Sequence, residues 1–130
     1  ELNPHGQRHP SYKGKKNKFC SPAFNFDEVV TLPKDATLLA SNNINKISSI
    51  SFNHEKSEVW GIQYHPEIQY EKMIELIKFR KDRLINQRKA FKSYDEIDHH
   101  ISLIKNELSK SEINHRMIEL KNWLGSINGN

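Results

Sequence analysis

The sequence predicts an α/β protein that closes with a small helical appendage. Three observations carry this. Residues 27 to 67 are short β-branched and aromatic runs between polar turns, VWGIQY (59 to 64) is a nearly continuous apolar run, and helical periodicity sets in after Pro66.

The bulk numbers narrow the class. At 130 residues the chain suits one domain with a modest core. Hydrophobic residues are 35%, mean hydropathy is -0.79, and no apolar run approaches the ~20 residues of a membrane span. The opening ELNPHGQRHP has no apolar core of a signal peptide, and it begins at Glu1, so the chain is expected to be the remainder of something longer. Cys20 stands alone and forms no internal disulfide, which makes a reducing, cytoplasmic setting the expectation. Net charge is +4 but uneven: residues 1–26 hold five Lys+Arg against one acid, 27–67 three against six, and 68–130 twelve against nine. No stripe of interleaved Arg and aromatic residues accompanies the basic ends, so nucleic-acid binding is not indicated.

Residues 1–22 read as irregular, because Pro4, Gly6, Pro10, Gly14 and Pro22 punctuate a polar stretch containing KGKKNK. From 23 to 67 the texture is that of strands: DEVVTLP ending in a proline turn, TLLA (37–40), KISSISF (46–52) and EVWGIQY (58–64), separated by SNN and NHEKS. VWGIQY suits a strand buried on both faces. Residues 68–85 read as a helix with Tyr70, Met73, Ile74, Ile77 and Leu84 near one face. The extension, 86–130, holds two more. One has a capping box, Ser93 with Glu96, and a stripe of Tyr94, Ile97, Ile101, Ile104 and Leu108. The other starts near Glu112, carries Ile113, Met117, Leu120 and Leu124, and stops at a C′ glycine, Gly125.

His65-Pro66-Glu67, at the end of the apolar run, is the stretch with chemistry. A strand end can hold an imidazole at the rim of a sheet, where open α/β folds place their sites. A carboxylate two residues on can accept from one ring nitrogen and leave the other to take a proton from a nucleophile. The same residues also suit a plain strand end, with Glu67 favouring the N-terminus of the next helix. Spacing alone leaves both readings standing.

The wider sequence resembles the C-terminal half of class I glutamine amidotransferase domains. Asp27, Val29, Leu32, Pro33, Ala36, Leu39, Ala40 and Ser41 match one segment of that family, and Trp60, Gly61, Gln63, Tyr64, His65, Pro66 and Glu67 match a W-G-x-Q-F/Y-H-P-E strand end. The two motifs occur in the family's order over about residues 19 to 68. Within the family the resemblance is to proteins related to the glutaminase part of GMP synthase, some of which carry a helical tail similar to R-x-x-E-L-x-N-W-L, Arg116 to Leu124. The resemblance implies the C-terminal part of a flavodoxin-like domain over residues 1–85, with 86–130 as extension. It implies hydrolysis of the glutamine amide to ammonia through a cysteinyl thioester, His65 as base and Glu67 as its orienter. It implies glutamine as substrate and no cofactor.

The third member of such a triad is not legible. No G-x-C-x-G occurs, and Cys20, flanked by Phe19 and Pro22 in NKFCSP, lacks the small neighbours of a nucleophile elbow; it reads as a partly buried side chain. A doubly wound domain needs roughly 180 residues, whereas 64 precede His65. Asn25 stands where relatives often have His. A fragment, one product of a split gene and a decayed remnant all fit. Each predicts inactivity alone and an apolar sheet edge, open to an N-terminal half or to self-association. The reading from another class is a catalytically dead remnant whose helices form an interaction or nucleic-acid-binding module. His99, His100 and His115 read as solvated helix residues rather than metal ligands, and KFRKDR (78–83) as a charged solvated face.

Overall fold

A computed structural model describes residues 1–110 and 112–128. The chain packs as two units: Glu1–Glu67 with the segment from Ile113 onward, and Ile68–Glu112. The architecture is mixed α/β, with one three-stranded antiparallel sheet and several helices.

In the first unit the opening residues are ordered around one asparagine. Asn3 Oδ1 accepts from the amides of His5 and Gly6, both at 2.9 Å, which caps a short helix α1 (Pro4–Arg8) whose first residue is proline. Asn3 also donates from Nδ2 to the Leu38 carbonyl at 2.7 Å and from its amide to the Leu39 carbonyl at 3.0 Å. These bonds lay residues 2–3 along strand β1 (Thr37–Ala40), and Leu2 forms a bridge with Ala40. Gly6 is required here, since a Cβ on it would lie 2.1 Å from the Leu39 carbonyl oxygen. A 3₁₀ turn (Pro10–Tyr12) follows, and Gly14, at φ +84°, reverses the chain into Lys15. Residues 1–22 are therefore not all irregular: Pro4 and Pro10, read as breakers, each open a helical turn, where a missing N–H costs nothing.

Strands β1, β2 (Ser49–His54) and β3 (Ser57–Ile62) form the sheet in that order. A bulge between Leu38 and Ala40 shifts the β1 register; β2 pairs with β3 from Ser49–Ile62 to His54–Ser57. The core of this unit is Leu2, Tyr12, Leu39 and Ala40, with Phe19 packed against it. Two strand expectations are corrected. DEVVTLP is not a strand, and Val30 is 81% exposed there. VWGIQY is half-buried throughout rather than buried on both faces, and among the described strands β3 is an edge, paired with β2 alone.

The last helices join this unit differently from the expectation. Residues 113–127 form α4 (Ile113–Arg116) and α5 (Ile118–Ile127), and Gly125 lies inside α5 rather than ending it. The buried residues are Arg116 and Glu119, while Ile113 and Leu124 are each 52% exposed. The expected stripe is split, Met117 and Leu120 being partly buried, and the most buried positions are the polar ones, whose partners lie in the same unit.

In the second unit the helical expectations hold in part: the helix expected over 68–85 ends at Phe79 and is followed by a π-helical stretch, Arg83–Gln87, with Leu84 only partly buried, and Tyr94 of the next stripe is 50% exposed. Helix α2 (Tyr70–Phe79) buries Tyr70, Met73, Ile74 and Ile77. Helix α3 (Tyr94–Leu108) buries Ile97, Ile101 and Ile104, at positions one turn apart. Ser93 Oγ accepts from the Glu96 amide at 3.2 Å, and the Glu96 carboxylate turns back to the Lys92 amide at 2.6 Å, one residue earlier than a capping box requires. Lys81 and Asp98 pair at 2.7 Å, so KFRKDR contributes an ion pair within its unit. Helix α3 belongs to this unit, and α4 and α5 to the other.

Candidate active site

The strand end after β3 is tied at four consecutive residues. Gln63 donates its amide to Ser48 O at 2.9 Å, and its carbonyl accepts from Asn25 Nδ2 at 2.8 Å. Asn25 thus has a local role as a side-chain cap of the strand. The Tyr64 hydroxyl donates to Glu119 Oε1 at 2.6 Å and contacts the Tyr12 hydroxyl at 2.8 Å. His65 donates its amide to Pro22 O at 2.7 Å. The carbonyl of Pro66, itself buried, accepts from Arg116 Nε at 3.0 Å.

On this fixed backbone the His65 ring meets Glu67. Nδ1 lies 2.9 Å from Glu67 Oε1, with the two side chains 40% and 52% exposed. A carboxylate only accepts, so in this contact Nδ1 carries the hydrogen; in a neutral imidazole Nε2 is then the acceptor. The Phe24 ring is also near, tilted against the imidazole with centroids 6.2 Å apart. The structure brings His65 and Glu67 together. Cys20 is exposed, not partly buried as expected, and lines a cavity of about 230 Å³ with Phe19, Ser21 and Tyr64, whose lining does not include His65 or Glu67. Among the described residues no group of three or more metal-ligating side chains clusters. His115 is partly exposed and accepts from the Lys16 amide at 3.0 Å.

Beneath the strand end is a polar cluster that sequence reasoning missed. Lys15, its side chain fully buried, donates to Glu119 Oε2 at 2.7 Å and to the carbonyls of His115 and Arg116, both at 3.1 Å, and lies 4.4 Å above the Phe19 ring. Burial pushes the Lys15 ammonium below its ordinary pKa, with Glu119 opposing. Burial likewise raises the Tyr64 and Tyr12 hydroxyls, so both stay protonated donors. One signal in the sequence points here: Arg116, Glu119 and Asn122 recur at intervals of three in the R-x-x-E-L-x-N-W-L segment. All three face the first unit, Asn122 through the carbonyls of Ser11 and Lys13.

A second histidine and carboxylate meet in this unit. His9 Nε2 is 3.0 Å from Glu58 Oε1, and Nδ1 is 2.8 Å from Ser11 Oγ. The same Nδ1 accepts from the Ser11 amide, and Ser11 is buried. That geometry caps the 3₁₀ turn and pins it to β3; it offers no accessible nucleophile.

Several known proteins are similar to part of this chain. Over 68 residues, 52% of this chain and 23% of the relative, it is 38% identical to a gamma-glutamyl-L-1-hydroxyisopropylamide hydrolase of a Pseudomonas species. It is 39% identical over 59 residues, 45% of this chain and 31% of the relative, to one of the subunits of glutamine-hydrolyzing GMP synthase from Methanosphaera stadtmanae. The corresponding protein of Methanobrevibacter smithii is 41% identical over 44 residues, 34% of this chain and 22% of the relative. The chain spans between 22% and 31% of the length of these relatives. No family model and no solved structure matches it. These similarities are compatible with a class I glutamine amidotransferase-like chain.

Proposed function

We propose that this chain supplies the base and the orienter of a glutamine-hydrolysing site whose cysteine comes from another segment. The observation that carries the reading is the His65–Glu67 contact at 2.9 Å, held on a strand end tied at four successive residues. Similarity to glutamine-hydrolyzing and gamma-glutamyl hydrolase proteins supports the substrate. The amidotransferase-like portion is proposed over residues 1–85, as the closing part of a flavodoxin-like domain, with 86–130 as its extension.

In the proposed reaction Nε2 of His65 takes the proton of the incoming thiol, and the sulfur attacks the side-chain carbonyl carbon of glutamine. The C–N bond breaks as the imidazolium returns the proton to the leaving nitrogen, and ammonia departs. Water, deprotonated by the same nitrogen, then cleaves the thioester to glutamate and free thiol. Glu67 holds the ring so that Nε2 stays the acceptor and stabilises the imidazolium. The cysteine-bearing segment is proposed to pair along the free edge of β3, where the buried Trp60 indole N–H has no hydrogen-bond partner among the described residues.

The test is ammonia release from glutamine by the chain alone and mixed with a cysteine-bearing N-terminal segment taken from one of these GMP synthase relatives. Turnover only in the mixture, unchanged by Cys20→Ser, is the expected result. Turnover by the chain alone that Cys20→Ser abolishes would show that the nucleophile is internal. A stable complex without turnover would overturn the reading.

A further inference from the structure

The buried polar cluster has no place in the proton transfers above, yet it contacts the residues on both sides of His65. Glu119 holds the Tyr64 side chain at 2.6 Å, and Arg116 holds the Pro66 carbonyl at 3.0 Å. Both come from one face of the α4–α5 segment, about fifty residues beyond the site. Glu119 is itself fixed, by Lys15 at 2.7 Å and by its place in the first turn of α5, where the helix end favours a carboxylate.

The packing of this segment argues that the arrangement serves geometry rather than stability. It turns Arg116 and Glu119, 5% and 4% exposed, inward, while Ile113, Leu124 and Ile127 stay more than half exposed. A segment packed only for stability would bury the apolar stripe, since a buried ion pair loses in desolvation about what it gains in attraction. Such a pair does define one arrangement strictly, because every alternative strands a buried charge. The residue so defined is the one between Tyr64 and Pro66.

We propose that Glu119, assisted by Arg116, is a positioning residue for His65, fixing the backbone on both sides of the imidazole so that its Nδ1–H stays directed at Glu67 and its Nε2 outward. The proposal rests on the reading of His65 as a base. Neither residue reaches the ring; both act through its neighbours. The C-terminal segment is then part of the active-site machinery, and a chain shortened before Ile113 would keep the His-Pro-Glu sequence without its geometry.

The experiment is nitrogen-15 NMR of the His65 ring in the full chain, which reports the tautomer without any turnover. In the unmodified chain the Nδ1-protonated tautomer dominates. In Glu119→Gln and in Arg116→Met the ring exchanges between both tautomers and the Nδ1–Glu67 contact is lost. Asn122→Ala, which unties the same segment from the carbonyls of Ser11 and Lys13, lowers the unfolding temperature and leaves the His65 signals in place. If Glu119→Gln fails to fold, Tyr64→Phe, which removes only the hydroxyl, gives the same ring signature. In the completed enzyme Glu119→Gln lowers kcat by about 10- to 100-fold with KM unchanged. A folded Glu119→Gln chain with the unmodified ring signals would overturn the proposal, as would an equal ring change in Asn122→Ala. Because the ring is read in the chain alone, absence of turnover in the mixture would count against the glutaminase reading only.

Discussion

Lys15 and Glu119 lie 104 positions apart in sequence and 2.7 Å apart in the fold. Removing the ammonium with Lys15→Met leaves the Glu119 carboxylate buried without the cation paired with it. Loss of one partner of a buried pair costs about 3–5 kcal/mol. Urea unfolding should show that loss, and the double variant Lys15→Met/Glu119→Gln should recover much of it, since neither charge of the pair is then buried without the other. An equal loss in both variants would mean that packing of the lysine stem, not charge, holds the site. This pair also marks the limit of the sequence. His65 and Glu67 were legible because a single strand end carries both, two residues apart. Lys15 was hidden in KGKKNK, where four lysines look alike until the fold buries one; Glu119 stood in R-x-x-E-L-x-N-W-L with nothing local to tie it to a lysine so distant in sequence.

At the scale of elements, TLLA and the two strands of the hairpin were legible because their β-branched and aromatic runs coincide with real partners. DEVV has the same composition and no partner strand among the described residues, so it stays extended and exposed; strand propensity measures fit to a neighbour more than preference of the chain. The N-terminal turns were missed for the converse reason, since proline and glycine there open and close short helical turns. Their placement depends on contact between α1 and β1. Gly6→Ala puts a methyl group 2.1 Å from the Leu39 carbonyl oxygen, and the helix must move away from the strand. The expected cost is about 3 kcal/mol, read as a lower urea midpoint. A midpoint unchanged from the parent would contradict this close approach.

Across the molecule, the burial that fixes the site also sets its response to pH. Tyr12 and Tyr64 have hydroxyls raised above the ordinary 10.0, so their contribution to stability is complete below that pH and is lost as pH rises past it, when the unfolded chain ionises first. Lys15 acts in the opposite sense: its folded value lies below 10.5, so the unfolded chain binds more protons in the window beneath that pH and stability rises there. Above about pH 10.5 the two tyrosines dominate, and urea stability should fall steeply, less so in Tyr64→Phe. A profile unchanged by Tyr64→Phe would contradict the burial of that hydroxyl. All three groups surround the backbone that carries His65, and the central claim is that this backbone delivers a working base. The measurement that reaches it most directly is kcat/KM for ammonia release from glutamine by the chain completed with a cysteine-bearing segment, compared with the same complex carrying His65→Ala. A loss of about 100- to 10,000-fold is predicted. A variant complex that turns over as fast as the parent would contradict the account.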